Sequence, residues 1–233
     1  MNLAVIPARG GSKRIPLKNI KDFCGKPIIA WTIEAAVKSN CFDRIIVSTD
    51  SNAIANIAIS YGAEVPFERP ADLSDDHATT APVIAHAIKW FSIQGEVFEN
   101  ACCLYPTAPF IEPQDLISTL RLLQSSKVDF VFPMTKYSYP IQRALCISEE
   151  LKVKMFNPES YNSRSQDMEE TYHDAGQFYW GRAEAWLSER PIFTCGAPPF
   201  ILPNFRVQDI DTAEDWFVAE VKFLAMRRMN KEK

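Results

Sequence analysis

Apolar positions along this chain of 233 residues follow two alternating periods. Asn2–Pro7 is a short apolar run, the pattern of a buried strand. Residues 28–38 place Ile29, Ile33, Ala36 and Val37 at helical spacing. Residues 44–49 are a β-branched strand that ends at Asp50, and 52–61 read as a helix closed by Gly62. A strand over 63–67 follows, then a helix over 80–94 with Pro82 in the tolerated first turn. Residues 101–105 are a strand broken by Pro106, Pro113–Ser125 a helix, and 130–133 and 177–180 strands. The last helix, 212–228, directs Trp216, Phe217, Val221, Phe223 and Leu224 to the core, with Asp211 placed to act as its N-cap. Strands alternating with helices predict an α/β fold in three layers around a mainly parallel sheet. Ligands of such sheets bind beyond the carboxyl ends of the strands. The loops after Pro7, Thr49, Phe67, Tyr105 and Pro133 therefore matter most.

The rhythm breaks over residues 134–174, which are rich in Tyr, Pro, Ser and Asn. Long excursions inside compact domains are usually functional or mobile. The stretch reads as an insertion, a lid or a dimer contact, within a single domain spanning 1–233. Composition excludes more than it identifies. With 47% hydrophobic and 23% charged residues and a net charge of −4, the chain has the make-up of a globular protein, not of a nucleic-acid binder. No apolar stretch is long enough to span a bilayer, and the N-terminus runs directly into a strand. No membrane association and a cytoplasmic location are the expectation. Cys24, Cys41, Cys102, Cys103, Cys146 and Cys195 show no metal-ligand spacing and read as reduced structural thiols. His77, His86 and His173 show none either.

Chemistry concentrates in a few segments. The first strand ends in Arg9-Gly10-Gly11-Ser12-Lys13, with Arg14 and Lys18 close behind. Adjacent glycines let backbone N–H groups approach a ligand, and cations on the same loop suit a polyphosphate. The loop is neither a P-loop nor a G-x-G-x-x-G turn. Near the other end, Asp209 and Asp211 are separated by one residue, so an extended backbone puts both carboxylates on one side. Such a pair holds a divalent cation or, alternatively, caps the final helix. Three further segments stand out: Arg69-Pro70 with Asp75-Asp76-His77-Ala78-Thr79-Thr80, the rigid loop Tyr105-Pro106-Thr107-Ala108-Pro109, and His173-Asp174-Ala175-Gly176-Gln177-Phe178-Tyr179. The His-Asp pair has no serine or cysteine placed to complete a triad.

Together these segments resemble the CMP-nonulosonic acid synthetases, the acylneuraminate cytidylyltransferase family. Its I-P-A-R-x-G-S-K opening stands here as Ile6 to Lys13, with Lys18-Asn19 following. Its R-I-I-V-S-T-D stretch is Arg44 to Asp50, its P-T-[SA]-P loop Pro106 to Pro109, and its Q-D-I-D-T segment Gln208 to Thr212. The resemblance covers nearly the whole chain in the family's order. It implies a three-layer nucleotide-binding fold and a reaction in which the anomeric hydroxyl of a nine-carbon 2-keto acid sugar attacks the α-phosphate of CTP, releasing pyrophosphate. Carried over by position, Arg9, Ser12, Lys13 and Lys18, with the backbone of Gly10 and Gly11, would hold the triphosphate. Ala8, Asn19, Arg69, Thr79 and Thr80 would surround cytosine and ribose, and Asp209 and Asp211 would bind Mg²⁺. Arg9, Lys18 and Asp211 would be the catalytic groups, and a homodimer is the expected assembly.

The departures lie on the acceptor side. Sialic acid synthetases commonly carry glycine where Arg14 stands, a glutamine at Tyr105, and an Arg-x-Asn-Gly segment at His173 to Gly176. The Lys13-Arg14-Ile15-Pro16 loop and the His173 to Trp180 run resemble instead the branch that uses pseudaminic acid, a 9-deoxy sugar. Tyr105, Thr107, His173, Gln177 and Tyr179 are then the expected sugar-binding residues. Alternatives are the same reaction on N-acetylneuraminic or legionaminic acid, a glycosyltransferase using Asp209-Ile210-Asp211 as a D-x-D motif, and a non-catalytic nucleotide-binding protein.

Overall fold

The structure, a computed structural model, describes residues 1–75, 79–194 and 196–231. Asp76, His77 and Ala78 of the predicted Arg69–Thr80 segment, and Cys195, lie outside the described residues.

Strands β1 (Asn2–Pro7), β4 (Arg44–Ser48), β5 (Asn100–Leu104), β6 (Phe130–Val131) and β11 (Phe178–Arg182) form the central sheet in the order β4-β1-β5-β11-β6. β1 runs parallel to both β4 and β5, with Val5 opposite Ile46 on one side and Cys103 on the other. β11 is antiparallel to β5 and β6. The β-branched runs are buried on both faces, as parallel strands covered by helices must be. Side chains alternate accordingly. Ala4, Ile6, Cys102 and Leu104 pack with Ile29, Ile33 and Leu116 of helices α1 (Ile28–Ser39) and α4 (Pro113–Ser125) and with Ile54 of α2 (Asn52–Ser60). Leu3, Val5, Ala101 and Cys103 face Ile84, Ile88 and Trp186 of α3 (Thr80–Ile93) and α5 (Ala183–Leu187). These are the three layers of the expected α/β fold. The cysteines among the described residues are free thiols, and no helix there is long and apolar enough to cross a membrane.

Several elements depart from expectation. The predicted strand over 63–67 is reduced to an isolated parallel bridge, Ile46 to Glu64, with a second, Thr49 to Glu68, just beyond it, because Pro66 cannot donate to a ladder. The run 130–133 splits: β6 stays in the central sheet, while β7 (Pro133–Lys136) joins β10 (Tyr172–Asp174) and β12 (Phe200–Ile201) in a second sheet. β7 and β10 pair antiparallel and close the base of an excursion that carries the hairpin β8 (Leu145–Ile147) and β9 (Val153–Met155). Helix α6 (Ala213–Lys231) buries Trp216, Ala219, Phe223 and Met226 against Phe23 of the hairpin β2 (Asp22–Phe23) and β3 (Lys26–Pro27). Phe217, Val221 and Leu224 face outward instead of the core, because a helix resting on one side buries one stripe only. Asp211 does not cap α6. The Asp215 carboxylate accepts from the N–H of Asp211 (3.1 Å) and of Thr212 (2.8 Å), and Asp215 N–H donates to Thr212 Oγ1 (3.2 Å). Thr212 and Asp215 thus form the reciprocal cap and leave the Asp211 carboxylate to other partners.

Gly181 is a packing requirement that the hydrophobic pattern does not reveal. A Cβ there would lie 2.5 Å from Phe130 Cε1 and 2.5 Å from Trp186 Nε1. Gly181→Ala is expected to destabilise the fold by about 1–3 kcal/mol, seen as a lower urea midpoint with unchanged slope; an unchanged midpoint would show that the rings yield without cost.

Candidate active site

The carboxyl ends of β1, β4 and β5 open on one side of the sheet and deliver three loops to it. The first is held from within. Ala8 N–H donates to Ser48 O (2.9 Å), Gly10 N–H to Asp50 Oδ1 (2.8 Å), and Ser12 N–H to Gly10 O (3.1 Å). Asn19 Nδ2 donates to Arg9 O at 3.0 Å, tying the turn Lys18–Ile20 to the loop. A Cβ on Gly10 would stand 3.2 Å from Ser51 Cβ, so close approach favours glycine there; one on Gly11 would meet nothing within 4 Å. Asp50 fixes the loop, a role that the strand pattern alone did not assign to it.

Arg69 crosses beneath this loop. It is 6% exposed, and its Nε donates to Ser48 Oγ (3.1 Å) while Nη2 donates to Ser48 O. Burial lowers its pKa to about 10, against the pull of Asp50, so the guanidinium stays charged at neutral pH.

These elements wall a cavity of about 520 Å³ lined by Arg9, Ser12, Lys13, Arg14, Lys18, Asn19, Arg69, Thr79, Thr80, Tyr105 and Thr107. Thr79 occupies the N-cap position of α3 without a capping hydrogen bond, so its side chain and that of Thr80 belong to the cavity wall. Thr32 Oγ1 donates to Tyr105 O (3.0 Å) and Ala108 O (3.4 Å), fastening the proline loop to α1. Ala8 is fully buried and supports the loop from beneath. Arg14, expected from the resemblance on or near the acceptor side, lines this first cavity with the rest of the cationic run.

The acidic segment faces this cavity from the other end of the chain. Ile210 is 1% exposed and packs with Ile15, Phe23 and Trp216. Its burial turns the neighbouring Asp209 and Asp211 side chains outward. Lys18 Nζ donates to Ile210 O (2.7 Å) and lies 3.4 Å from Asp211 Oδ1, to which Arg14 Nη2 approaches within 2.9 Å. Desolvation, then the neighbouring Asp211 charge, raise the Asp209 pKa; repulsion of this kind is relieved by a bound cation. Two hard oxygen donors of this kind fit a divalent ion such as Mg²⁺. Among the described residues no group of three or more such ligands gathers, so any ion would take its remaining ligands from substrate or water. Asp209 also lines a second hollow, of about 240 Å³, with His173, Lys136, Asn204 and Lys222.

The predicted sugar-side residues therefore separate. Tyr105 and Thr107 line the first cavity and His173 the second. Gln177 and Tyr179 stand behind the wall, because their segment pairs as an inner strand of the sheet. Gln177 O accepts Tyr105 N–H (2.8 Å), and its Nε2 donates to Arg206 O (2.6 Å). Tyr179, 4% exposed, donates to Asp174 Oδ2 (2.5 Å) and sets its ring 5.5 Å from that of Tyr105. Desolvation, the largest cause, raises the pKa of both phenols.

A cationic cavity at the carboxyl ends of parallel strands, two of whose cations meet Asp211 of the acidic pair, defines a nucleotide-handling α/β protein. The profile of the cytidylyltransferase family matches residues 3–220, and the chain belongs to that family. It is 44% identical over 222 residues to the pseudaminic acid cytidylyltransferase of Campylobacter jejuni subsp. jejuni serotype O:2, covering 95% of this chain and 96% of that protein. To the CMP-N,N'-diacetyllegionaminic acid synthase of Legionella pneumophila it is 33% identical over 227 residues, 94% of each chain. CMP:2-keto-3-deoxy-manno-octonic acid synthetase complexed with CTP shares the fold, with a TM-score of 0.69 at 18% identity over 97% of this chain and 99% of that one. Family membership decides for nucleotidyl transfer over the glycosyltransferase alternative.

The acidic loop is braced from behind by Arg206, 11% exposed, which pairs with the equally buried Asp115 and donates to Phe110 O (3.2 Å). Removing one partner strands a buried charge. Asp115→Ala is expected to cost about 3 kcal/mol, the lower end of the usual range because Glu112 lies 3.4 Å from Arg206; thermal or urea unfolding measures it, and a loss below about 1 kcal/mol would show the brace to be dispensable.

Proposed function

We propose that the protein couples CTP to pseudaminic acid, giving the CMP-sugar and pyrophosphate. The observation that carries this reading is the position of the acidic pair: Asp211 meets the cations of the first cavity, and Asp209 lines the second hollow. Two substrates held in the two spaces would meet at these carboxylates.

In this reading Arg9, Ser12, Lys13 and Lys18 bind the triphosphate, and Asn19, Arg69, Thr79 and Thr80 enclose ribose and cytosine. The sugar hydroxyl oxygen attacks the α-phosphorus, the bond to the β-phosphate oxygen breaks, and pyrophosphate leaves with that electron pair. The hydroxyl loses its proton in the process. Such transfer depends on positioning and on charge stabilisation, which Arg9 and Lys18 supply where negative charge develops. Asp209 and Asp211 would hold Mg²⁺, which supplies charge neutralisation and acidifies the attacking hydroxyl. Tyr105, backed by Tyr179, gives the first cavity an aromatic wall, and His173 lines the second hollow, where the sugar would lie. The reading places the protein in the cytoplasm, which supplies CTP and keeps its thiols reduced.

The same reading makes the protein a homodimer. On the hairpin, Leu145 and Ile147 are 66% and 71% exposed and Val153 70%; Ile147 pairs with Val153 and Leu145 with Met155. An isolated two-stranded hairpin with such a face needs a partner.

Pyrophosphate release from CTP and Mg²⁺ is expected with pseudaminic acid and not with N-acetylneuraminic or legionaminic acid. Release with another of these acids only would keep the reaction and replace the substrate; silence with all three would overturn the proposal. Sedimentation velocity is expected to show a dimer that Ile147→Glu with Val153→Glu converts to monomer. A monomeric parent protein at working concentration would remove the dimer from the reading.

A further inference from the structure

The acidic loop and the loop that leaves the first strand are in direct contact. Asp211 Oδ1 is shared by Arg14 Nη2 at 2.9 Å and Lys18 Nζ at 3.4 Å. Both cations also line the cavity in which a triphosphate would lie. Their circumstances differ. Lys18 is 20% exposed and is anchored as well on Ile210 O at 2.7 Å. Arg14 is 67% exposed, and Asp211 is the carboxylate with which it pairs. One oxygen of a candidate cation ligand is therefore occupied by a long side chain that is free to swing on its stem.

A divalent ion cannot use that oxygen at full strength while the guanidinium sits on it, since like charges would be brought together. A triphosphate offers Arg14 a denser anion in the same cavity, with geometry suited to a guanidinium fork. We propose that Arg14 is a latch on Asp211: it occupies the carboxylate in the nucleotide-free enzyme, and the triphosphate draws it away, completing the cation site. Nucleotide and cation binding are then coupled through the protein as well as through direct phosphate contact. By linkage the coupling is reciprocal. The inference rests on the proposed cation role of Asp209 and Asp211.

Its size follows from exposure. Ion pairs this open contribute about 0.2–1 kcal/mol, a factor of about 1.5–5 in an affinity. They weaken further as salt shortens the screening length. The latch is thus a bias on the order of binding, and it should fade at high ionic strength.

Mn²⁺ is the probe, with its free fraction read by electron paramagnetic resonance on the whole protein without nucleotide. Arg14→Gln removes the charge at an exposed position. At low salt it is expected to tighten Mn²⁺ binding about two- to fivefold. The gain should shrink as salt is raised and vanish when Asp211→Asn is added, because the effect runs through that carboxylate. At saturating CTP the parent protein and Arg14→Gln should bind Mn²⁺ alike. Equal Mn²⁺ affinity of the two nucleotide-free proteins, with Asp211→Asn alone weakening the binding, would overturn the latch and leave the cation reading standing. A gain that survives Asp211→Asn would reduce Arg14 to general repulsion and also overturn the latch. Mn²⁺ binding to the CTP complex that ignores Asp211→Asn would overturn the cation reading and the latch with it.

Discussion

The contact of Lys18 with Ile210 O and Asp211 is the joint on which the site depends. It joins positions 192 residues apart in the chain. On one side stands the loop that leaves the first strand; on the other, the segment that precedes the last helix. Neither end has a regular ladder through which to hold the other. What holds them is one ammonium group on a backbone carbonyl, seated over the apolar contact of Ile210 with Ile15, Phe23 and Trp216. Burying a side chain of that size is worth about 1.5–3 kcal/mol, comparable to the polar contacts above it. Apolar packing brings the acidic segment to the cavity, and charge then sets which way its carboxylates point.

That division of labour runs through the molecule. The central sheet is clad in apolar side chains, aliphatic and aromatic, on both faces, and the lined cavity lies at the ends of three parallel strands. Several polar groups that enter the interior brace the site. Arg69 is spent on Ser48, and Arg206 on Asp115. Gln177 fastens the backbone behind Tyr105, and Tyr179 answers to Asp174. Each makes at least one hydrogen bond or ion pair, as buried polar side chains generally do, although Gln177 Oε1 and Arg206 Nε are buried without a partner. The result is a cavity with fixed walls, in which Lys18 and Arg69 are anchored and Arg14 is exposed.

Much of this was legible in the sequence because the chemistry lies close to elements that the hydrophobic period marks. The strand Asn2–Pro7 and its basic loop, the helix Pro113–Ser125 and the carboxylate pair can all be read locally. What escaped depends on contacts across the chain. Asp211 looked like a helix cap because it precedes a helix; Thr212 and Asp215 take that role, and only the fold shows Arg14 and Lys18 waiting for the carboxylate. Gln177 and Tyr179 read as ligand contacts because polar and aromatic groups cluster there, yet pairing with β5 and β6 turns the segment into an inner strand. Phe217, Val221 and Leu224 looked like core because α6 is apolar on more than one side, while only one side meets the domain.

In the proposed reading the acceptor side is harder to read than the nucleotide side for a related physical reason. A phosphate site needs cations and backbone donors on one loop, and a loop is contiguous in sequence. The second hollow, the acceptor space of the proposed reading, is assembled from β7, β10, the segment before α6 and Lys222 of α6, pieces far apart in the chain. No single piece carries its chemistry: His173 alone is an ordinary histidine tilted against Tyr137, and Lys222 alone is a helix lysine bound to Val207 O and Gln208 Oε1. They become a site only because Asp209 faces the same hollow. The carboxylate pair is thus the boundary of two spaces of different origin, one built from a continuous loop and one from tertiary pairing. In the proposed reading, changes in the second space would alter the acceptor while leaving the nucleotide chemistry intact, the pattern expected where relatives of one family carry the names of different sugars.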